Sequence, residues 1–540
     1  MIFQTSFYKT KKILLLEDCE PVRASIKGML QQIGFEDITT AADVAQAIPL
    51  VKSQHFDFIL ADYELGSGKT ALQFFHDLQQ QALLKLNCCF LLLSAEPRRL
   101  PVFGLIAGTP DGFLLKPFSY VELEKRLAKA WRYRSNMRKV YQALADKNYK
   151  AAQLELDQII NPVNASSLLA LRLMAEVLIA EGNYAAAVKL YDQVMQQRDF
   201  SWARLGRSIA QLQLQQYETA QTDLTELTEL DEVRPEALEW LACLAVCQGQ
   251  FDVAQKHLTD LLRGQNTHLV AHLAYVAVLQ LNQQADECSK YLQKLIQQYR
   301  FSAFDNADYY FELARLQLGQ AQKSSLKDFA ALTRKAQESL SAMPQKLLST
   351  TTEMAQQLLR ARVQLLDGHI ADAKRCLMKL EQDADIRAAD SASVVDMARL
   401  AFALGEQKTA DEYLTHLEKR QYSGTDLLSC CQRLLAQSRL QQEQQLRVQI
   451  RDWNQAGMAQ AAAGNAKQAL ALLRQAFIAM PCNPGLCLNV LQVLAQMPAE
   501  KTLQKLARNV FTALQFCSLT AANKQRLEQV VSTLPPLYLD

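Results

Sequence analysis

Two hydrophobic periods alternate along the first 130 residues of the chain. Short apolar, β-rich runs read as strands: "KILLLE" (12–17), "DITTA" (37–41), "FDFILA" (56–61), "CCFLLLS" (88–94) and "GFLLK" (112–116). Between them, segments such as "VRASIKGMLQQIG" place apolar residues at helical spacing. Five such alternations over residues 11–130 predict an α/β domain, a doubly wound five-stranded parallel sheet with helices on both faces. Sheets of this kind bind ligands at the carboxyl ends of their strands, where the topology switches direction. After about residue 130 the strand signal stops, and Leu, Ala and Gln recur in helical periodicity to the end of the chain.

The turns of this all-α part repeat. "GNYAAA" starts at Gly182, "QQYETA" at Gln215, "GQFDVA" at Gly249 and "QQADEC" at Gln283, spacings of 33, 34 and 34 residues. Further copies start at Gly368, Gly405 and Gly464, after a less regular stretch from about 300 to 350. A small residue (Ala187, Ala220, Ala254, Ala469) lets the second helix of each hairpin approach the first. Four positions on, Tyr191, Leu224, Leu258 and Leu473 supply the large buried partner. The interval and these residues resemble the tetratricopeptide (TPR) hairpin, whose copies must stack into a superhelix to bury their apolar faces. Trp453, Gly457, Gly464, Ala469, Ala476 and Pro481 stand at the family offsets, whereas Trp202 of "WARLG" sits two positions early. The expected layout is an α/β domain over 11–130, a helical connector over 131–145 and TPR-like repeats over 146–540.

Composition narrows the function. At 540 residues the chain is too long for one core, and 58 basic against 56 acidic residues give no global field for nucleic acid or an anionic membrane. The first twenty residues lack the apolar core of an export signal, and no apolar stretch is long enough to span a bilayer. Twelve scattered cysteines read as reduced thiols used as small apolar residues. A cytoplasmic protein without membrane insertion is expected.

Placing acidic residues on strand ends gives one constellation. Glu17 and Asp18 end the first strand and Asp62 follows the third, so three carboxylates converge at the carboxyl edge of the sheet. Crowded carboxylates repel, and the cluster suits a hard divalent cation such as Mg²⁺. Ser94 ends the fourth strand and Lys116 the fifth, supplying the hydroxyl and ammonium that an acyl phosphate needs. At these residues the domain resembles the receiver domain of two-component response regulators: the Glu17–Asp18 pair, Asp62, Ser94 in "LLLSAE", and "KPF" at 116–118.

The resemblance implies that Asp62 accepts a phosphoryl group from a histidine kinase. It implies Mg²⁺ on Glu17, Asp18, Asp62 and the main-chain carbonyl of Glu64, with Ser94 and Lys116 on the phosphoryl oxygens. Ser94 and Phe113 would be the switch pair, changing the face made by the fourth helix, fifth strand and fifth helix. It implies an often cis Lys116–Pro117 bond. Gly66 stands where the family usually has proline, and the Glu64 side chain takes the position that influences hydrolysis. No catalysis beyond the domain's own phosphorylation and dephosphorylation is expected. The expected output is protein binding by the repeats, controlled through a receiver–repeat contact or a contact between two copies in a homodimer.

Other signals are weaker. "GSGKT" (66–70) lacks the first glycine of a phosphate-binding loop, Tyr63 standing there, so Lys69 and Thr70 read as the start of the third helix. His268 and His272 share a helix face without a third zinc ligand, and Cys243 and Cys247 read as core. Cys482 and Cys487 lack the second pair of a zinc knuckle. "WRYRSNMRKVY" (131–141) interleaves basic and aromatic residues. A solvated helix face is the expected reading, and a DNA-binding strip, which would make the chain a transcription regulator, is the alternative. A constitutive scaffold with an inert receiver is the other rival.

Overall fold

The computed structural model describes all residues except 1–2, 66–69, 82, 96–109, 161–166, 265–268, 303, 325, 384–388, 423 and 540. The chain divides into two compact units, Met1–Ala271 with Phe301–Ala303, and His272–Arg300 with Phe304–Asp540.

The first unit begins with a sheet. Strands β1 (Lys12–Leu16), β2 (Asp37–Ala41), β3 (Phe58–Asp62), β4 (Cys89–Ser94) and β5 (Gly112–Leu115) are all parallel, in the order β2-β1-β3-β4-β5. Each predicted strand is present, shifted by at most two residues at an end. The helices about them are α1 (Thr5–Lys9), α2 (Glu20–Ile33), α3 (Val44–Ser53), α4 (Ala71–Gln80) and α5 (Tyr120–Asn136). Alternate side chains of each strand go to opposite faces. Ile13, Leu15, Phe58, Leu60, Leu91 and Leu93 bury against Ile26 and Leu30 of α2 and Leu123 and Leu127 of α5. Leu14, Leu16, Ile59, Ala61, Phe90 and Leu92 bury against Val44 and Ala47 of α3 and Phe74 and Phe75 of α4. That is the doubly wound arrangement, and apolar residues on both strand faces are what it requires. Helix α1 was not predicted. Its Phe7 packs edge-on to Trp131 of α5, and its Tyr8 packs on Phe35.

Helices alone follow. In the first unit α6 (Arg138–Ala145) pairs with α7 (Tyr149–Ile160), α8 (Ser167–Ala180) with α9 (Tyr184–Gln197), α10 (Ser201–Gln213) with α11 (Tyr217–Leu227), and α12 (Arg234–Cys247) with α13 (Phe251–Gly264). Next come α14 (Leu269–Leu281) and α15 (Ala285–Tyr299). In the second unit α16 (Ala307–Lys323) pairs with α17 (Leu326–Ala342), α18 (Thr350–Leu366) with α19 (Ile370–Asp383), and α20 (Ser391–Ala403) with α21 (Gln407–Glu418). A long helix, α22 (Leu427–Ala462), pairs with α23 (Ala466–Ala479), followed by α24 (Pro484–Ala495), α25 (Lys501–Gln515) and α26 (Ala521–Thr533).

All seven turn starts read from the sequence have left-handed backbone. Gly182, Gly249, Gly368, Gly405 and Gly464 lie at φ 73–91°, and Gln215 and Gln283 at 61° and 58°. Lys147, at φ 54°, is an eighth such turn. It heads "KNYKAA", between α6 and α7, so α6 is the first helix of a hairpin inside the stretch expected to be a connector. The small/large pairs behave as predicted: Ala187, Ala220, Ala254 and Ala469 are fully buried, and so in effect are Tyr191, Leu224, Leu258 and Leu473. A Cβ on Gly457 would meet Leu473 of its own hairpin, whereas one on Gly206 would meet Tyr191 of the preceding hairpin. Gly206 therefore serves a different contact from the motif glycine. The less regular stretch holds the hairpin α16–α17, whose helices have 17 residues each.

Candidate functional site: an acidic pocket at the strand ends

Parallel pairing brings the candidate residues to one sheet edge. Glu17 and Asp18 follow β1, Asp62 and Ser94 are the last residues of β3 and β4, and Lys116 follows β5. The register matches Asp62 to Leu93 and Ser94 to Leu115. Main-chain bonds continue the ladder beyond the strands: Tyr63 N–H donates to Leu93 at 2.8 Å and Lys116 N–H to Ser94 at 2.8 Å. The edge is thus built from backbone that β pairing already fixes.

Carboxylate oxygens of Glu17, Asp18 and Asp62 lie within 4.8 Å of one another. Glu17 is 2% exposed and Ser94 is buried, while Asp62 is half-buried and Asp18 exposed, so the cluster opens toward solvent on one side. The Lys116 ammonium reaches Glu17 Oε2 at 2.7 Å and Asp62 Oδ2 at 3.1 Å. Burial raises the pKa of Asp62, and the neighbouring Lys116 charge only partly offsets it. Burial opposes the Lys116 charge, but the Glu17 hydrogen bond and the Asp62 charge outweigh it and raise its pKa. One ammonium reaches two of the three carboxylates, which leaves unbalanced negative charge among hard oxygen donors. That donor set fits a divalent cation that prefers oxygen.

The loop after β1 is tied down by a residue the sequence reading missed. Arg23, one turn into α2, donates to the main-chain oxygen of Glu17 at 2.5 Å. Its spacing of six residues from Glu17, past the helix-starting Pro21, was the available signal. Glu64 is exposed. Phe113 is 43% exposed on β5, with the Arg126 guanidinium 5.8 Å from its ring centroid. Lys116–Pro117 is cis. Thr70 is the N-cap of α4 in a capping box with Gln73, as its helix-start reading required. Gly66, Gly68 and Lys69 lie outside the described residues, as do His268 and the segment 96–109, where the fourth receiver helix is expected.

The strip at 131–141 is only partly exposed. Trp131 packs between Phe7 and Phe58 under the Lys11 ammonium. Arg134 bonds Asp111 Oδ1 at 2.9 Å and the Leu86 carbonyl at 3.0 Å, and stacks over Tyr141. These two side chains join α5 to the sheet and to α6, whereas Ser135, Asn136, Arg138 and Lys139 are exposed, so the solvated-face reading holds for part of the strip. Residues 131–136 of the connector continue α5, and the helix then breaks at Met137 (φ −95°, ψ 5°). His272 bonds Tyr291 through Nδ1 at 2.7 Å and is a buried hydrogen-bonded histidine. All twelve cysteines are free, and Cys247 is exposed, unlike its buried neighbour Cys243.

Comparison with known proteins finds the family described as response regulator receiver domain over residues 13–128. The chain is similar to the chemotaxis protein CheY-3 of Vibrio cholerae, 27% identical over 22% of this chain and 92% of that protein. It is also similar to the chemotaxis protein CheY of Pseudomonas aeruginosa, 28% identical over 22% of this chain and 94% of that protein. Among solved structures, a tetratricopeptide repeat protein from Parabacteroides merdae aligns with 52% of this chain and 98% of its own, at 15% identity and a TM-score of 0.32. No helix among the described residues is long and apolar enough to cross a membrane. The chain carries a response-regulator receiver domain, and an array of TPR-like helical hairpins continues it.

Proposed function

We propose that Asp62 is the phosphoacceptor of a cytoplasmic two-component phosphorelay and that its phosphorylation controls protein binding by the helical repeats. The convergence of Glu17, Asp18, Asp62 and Lys116 at one sheet edge carries this reading. An Asp62 carboxylate oxygen attacks the phosphorus of a phosphohistidine on the donor kinase. The new P–O bond forms as the P–N bond breaks, and the imidazole leaves with its electron pair and takes up a proton. Glu17, Asp18, Asp62 and the Glu64 main-chain carbonyl would hold Mg²⁺, whose chemistry there is to neutralise charge on the phosphoryl oxygens. Lys116 transfers its ammonium from the carboxylates to a phosphoryl oxygen, and the Ser94 hydroxyl donates to another.

Movement of Ser94 toward the phosphoryl group is the start of the switch, and inward rotation of Phe113 its continuation. The receiver spans residues 11–130 in this reading, and a partner protein, or a second copy of the chain, meets the surface that changes. Glu64 lines the path of hydrolytic water, so Glu64→Asn should alter the lifetime of the acyl phosphate.

The test is phosphorylation of the full chain by acetyl phosphate, a small-molecule phosphoryl donor, with Mg²⁺. Incorporation of one acid-stable, base-labile phosphoryl group in wild type and none in Asp62→Asn is expected. Equal incorporation in the two proteins, or none in wild type, overturns the reading.

A further inference from the structure

Outside the receiver pocket, the second unit gathers charged side chains in one place and thiols in another. Helices α16, α18, α20 and α22 pack side by side in that order, with a charged seam between them. On α20, Asp396 is 2% exposed and accepts from Arg315 of α16 at 2.8 Å and from Arg362 of α18. Arg315 also donates to Glu312 of α16 at 2.7 Å. From α22, Arg439 reaches Glu312 at 2.6 Å, and Glu443 pairs with Arg399 of α20. These charges answer one another, and the seam is a contact within the array.

The thiols lie near the end of the array. Cys482 precedes α24, Cys487 lies in its first turn, and Cys517 sits on a bend just after α25. Cys482 and Cys487 are buried, while Cys517 is half-buried and packs against the core that holds the other two. The Cys487 and Cys517 thiols hydrogen-bond to each other. Cys487 Sγ also lies 3.1 Å from the Pro481 carbonyl oxygen, and Cys517 Sγ 3.3 Å from that of Ala513. Two sulfurs 30 positions apart in the chain are thus held side by side.

The pair is chemically unequal. The hydrogen bond from Cys487 lowers the Cys517 pKa, although burial opposes it. The same bond, together with burial, raises that of Cys487. Burial pushes Cys482 up to about 12. Of the three, Cys517 is the most exposed and the readiest to form a thiolate, the form that peroxides oxidise.

We propose that Cys517 and Cys487 are a hydroperoxide-reactive pair that closes to a disulfide. The Cys517 thiolate attacks the terminal oxygen of a hydroperoxide. The S–O bond forms, the O–O bond breaks, and the leaving alkoxide takes up a proton. The oxidised sulfur no longer carries the charge that held the Cys487 proton. Cys487 gives up that proton and attacks the Cys517 sulfur. The S–S bond forms, the S–O bond breaks, and hydroxide takes the proton and leaves as water. Two thiols are oxidised to one disulfide, and the hydroperoxide is reduced to an alcohol and water. Cys517 stands past the last turn of α25, so it can meet disulfide geometry without unwinding a helix. The crosslink ties the bend between α25 and α26 to α24. In a reducing compartment such a bond is transient, formed under peroxide and removed by thiol exchange. No step involves Asp62.

The test treats the folded full chain with hydrogen peroxide, blocks the remaining thiols by alkylation and maps the products by mass spectrometry. A crosslinked Cys487–Cys517 peptide, removed by dithiothreitol, is expected in wild type. Cys487→Ser should stop at a Cys517 sulfenic acid that dimedone traps, and Cys517→Ser should form no crosslink. Cys482→Ser should crosslink as wild type does. Hydrogen exchange in 501–533 should slow about tenfold or more on oxidation of wild type, as expected of a crosslink that closes a loop of about 30 residues. It should not change on treatment of Cys517→Ser. A crosslink of Cys517 to Cys482 overturns the proposal. So does a wild-type Cys517 that stays reduced, or that reaches the sulfenic acid without crosslinking.

Discussion

The receiver pocket and the α16–α22 seam use the same side chains to opposite ends. In the pocket, three carboxylates crowd about one lysine at the open edge of a sheet, and Asp62 is made harder to ionise by burial. In the seam, Arg315, Arg362, Arg399 and Arg439 alternate with Glu312, Asp396 and Glu443. Burial there works against the Asp396 charge, yet Arg315 and Arg362 outweigh it and hold its carboxyl below the usual range. An imbalance of charge that remains accessible is suited to taking a ligand. Charges paired with one another between helices are suited to fixing the helices' register.

The sharpest way to break that comparison is chemical. Replacing Asp62 with Asn should remove acyl-phosphate formation entirely, while Asp396→Asn should leave it at the wild-type level. Radiolabel transfer from a phosphodonor measures both. Loss of labelling in Asp396→Asn would mean that the two regions are not chemically separate.

Stability gives the next contrast, with opposite signs. Asp396→Ala strands two arginines in a buried seam and should cost about 3–5 kcal/mol, the scale for breaking a buried pair from one side. Asp62→Ala relieves carboxylate crowding, and without added divalent cation it should raise the receiver's stability, by no more than about 1 kcal/mol. Urea unfolding followed by hydrogen exchange, region by region, resolves the two effects. A loss in both variants would remove the distinction between a crowded pocket and an ion-paired network.

Acid sharpens the same point. Burial disfavours the Glu312 charge, but Arg439 and Arg315 hold its carboxyl at about 2. A free glutamate titrates at about 4.3. A carboxyl whose folded pKa is depressed adds stability above its unfolded pKa and loses it as pH falls through the folded value. Glu312 therefore contributes fully above about pH 4.3 and progressively less down to about pH 2, a difference on the order of 3 kcal/mol. Wild type should exceed Glu312→Gln in unfolding free energy at pH 6, and the gap should close toward pH 2. A gap that is constant with pH would remove the seam's claim to be electrostatic.

The pocket was legible in the sequence and the seam was not, for a physical reason. Glu17, Asp62, Ser94 and Lys116 each end an apolar run of four to six residues, so a local pattern plus parallel pairing brings them together. Arg439 meets Glu312 across 127 residues and the five helices α17 to α21, and no local period carries that contact. Arg134 was obscured differently. Its basic and aromatic neighbours resemble a solvated strip, and only the position of Asp111 at the foot of β5 shows that the charge is paired. The hairpin at Lys147 was hidden by two residues, since "KNYKAA" has lysine where "GNYAAA" has glycine and its first alanine.

That substitution points to the smallest effect, where strain is conformational rather than electrostatic. Gln283 occupies a left-handed turn at φ 58° that five sibling turns give to glycine. A non-glycine residue there costs about 1–2 kcal/mol through contact of Cβ with the following carbonyl. Glycine removes the clash but gives back part of the gain as chain entropy. Gln283→Gly should thus raise the unfolding free energy by about 1 kcal/mol or less. Gly249→Ala is the reciprocal change. No atom lies within 4 Å of where its Cβ would stand, so any loss isolates the backbone term from packing. The urea midpoint should rise in the first variant and fall in the second, with acyl-phosphate formation unchanged in both. If Gln283→Gly lowers the midpoint, the glutamine side chain makes a stabilising contribution larger than its strain. The turn would then resemble the seam, where side-chain interactions outweigh a local cost.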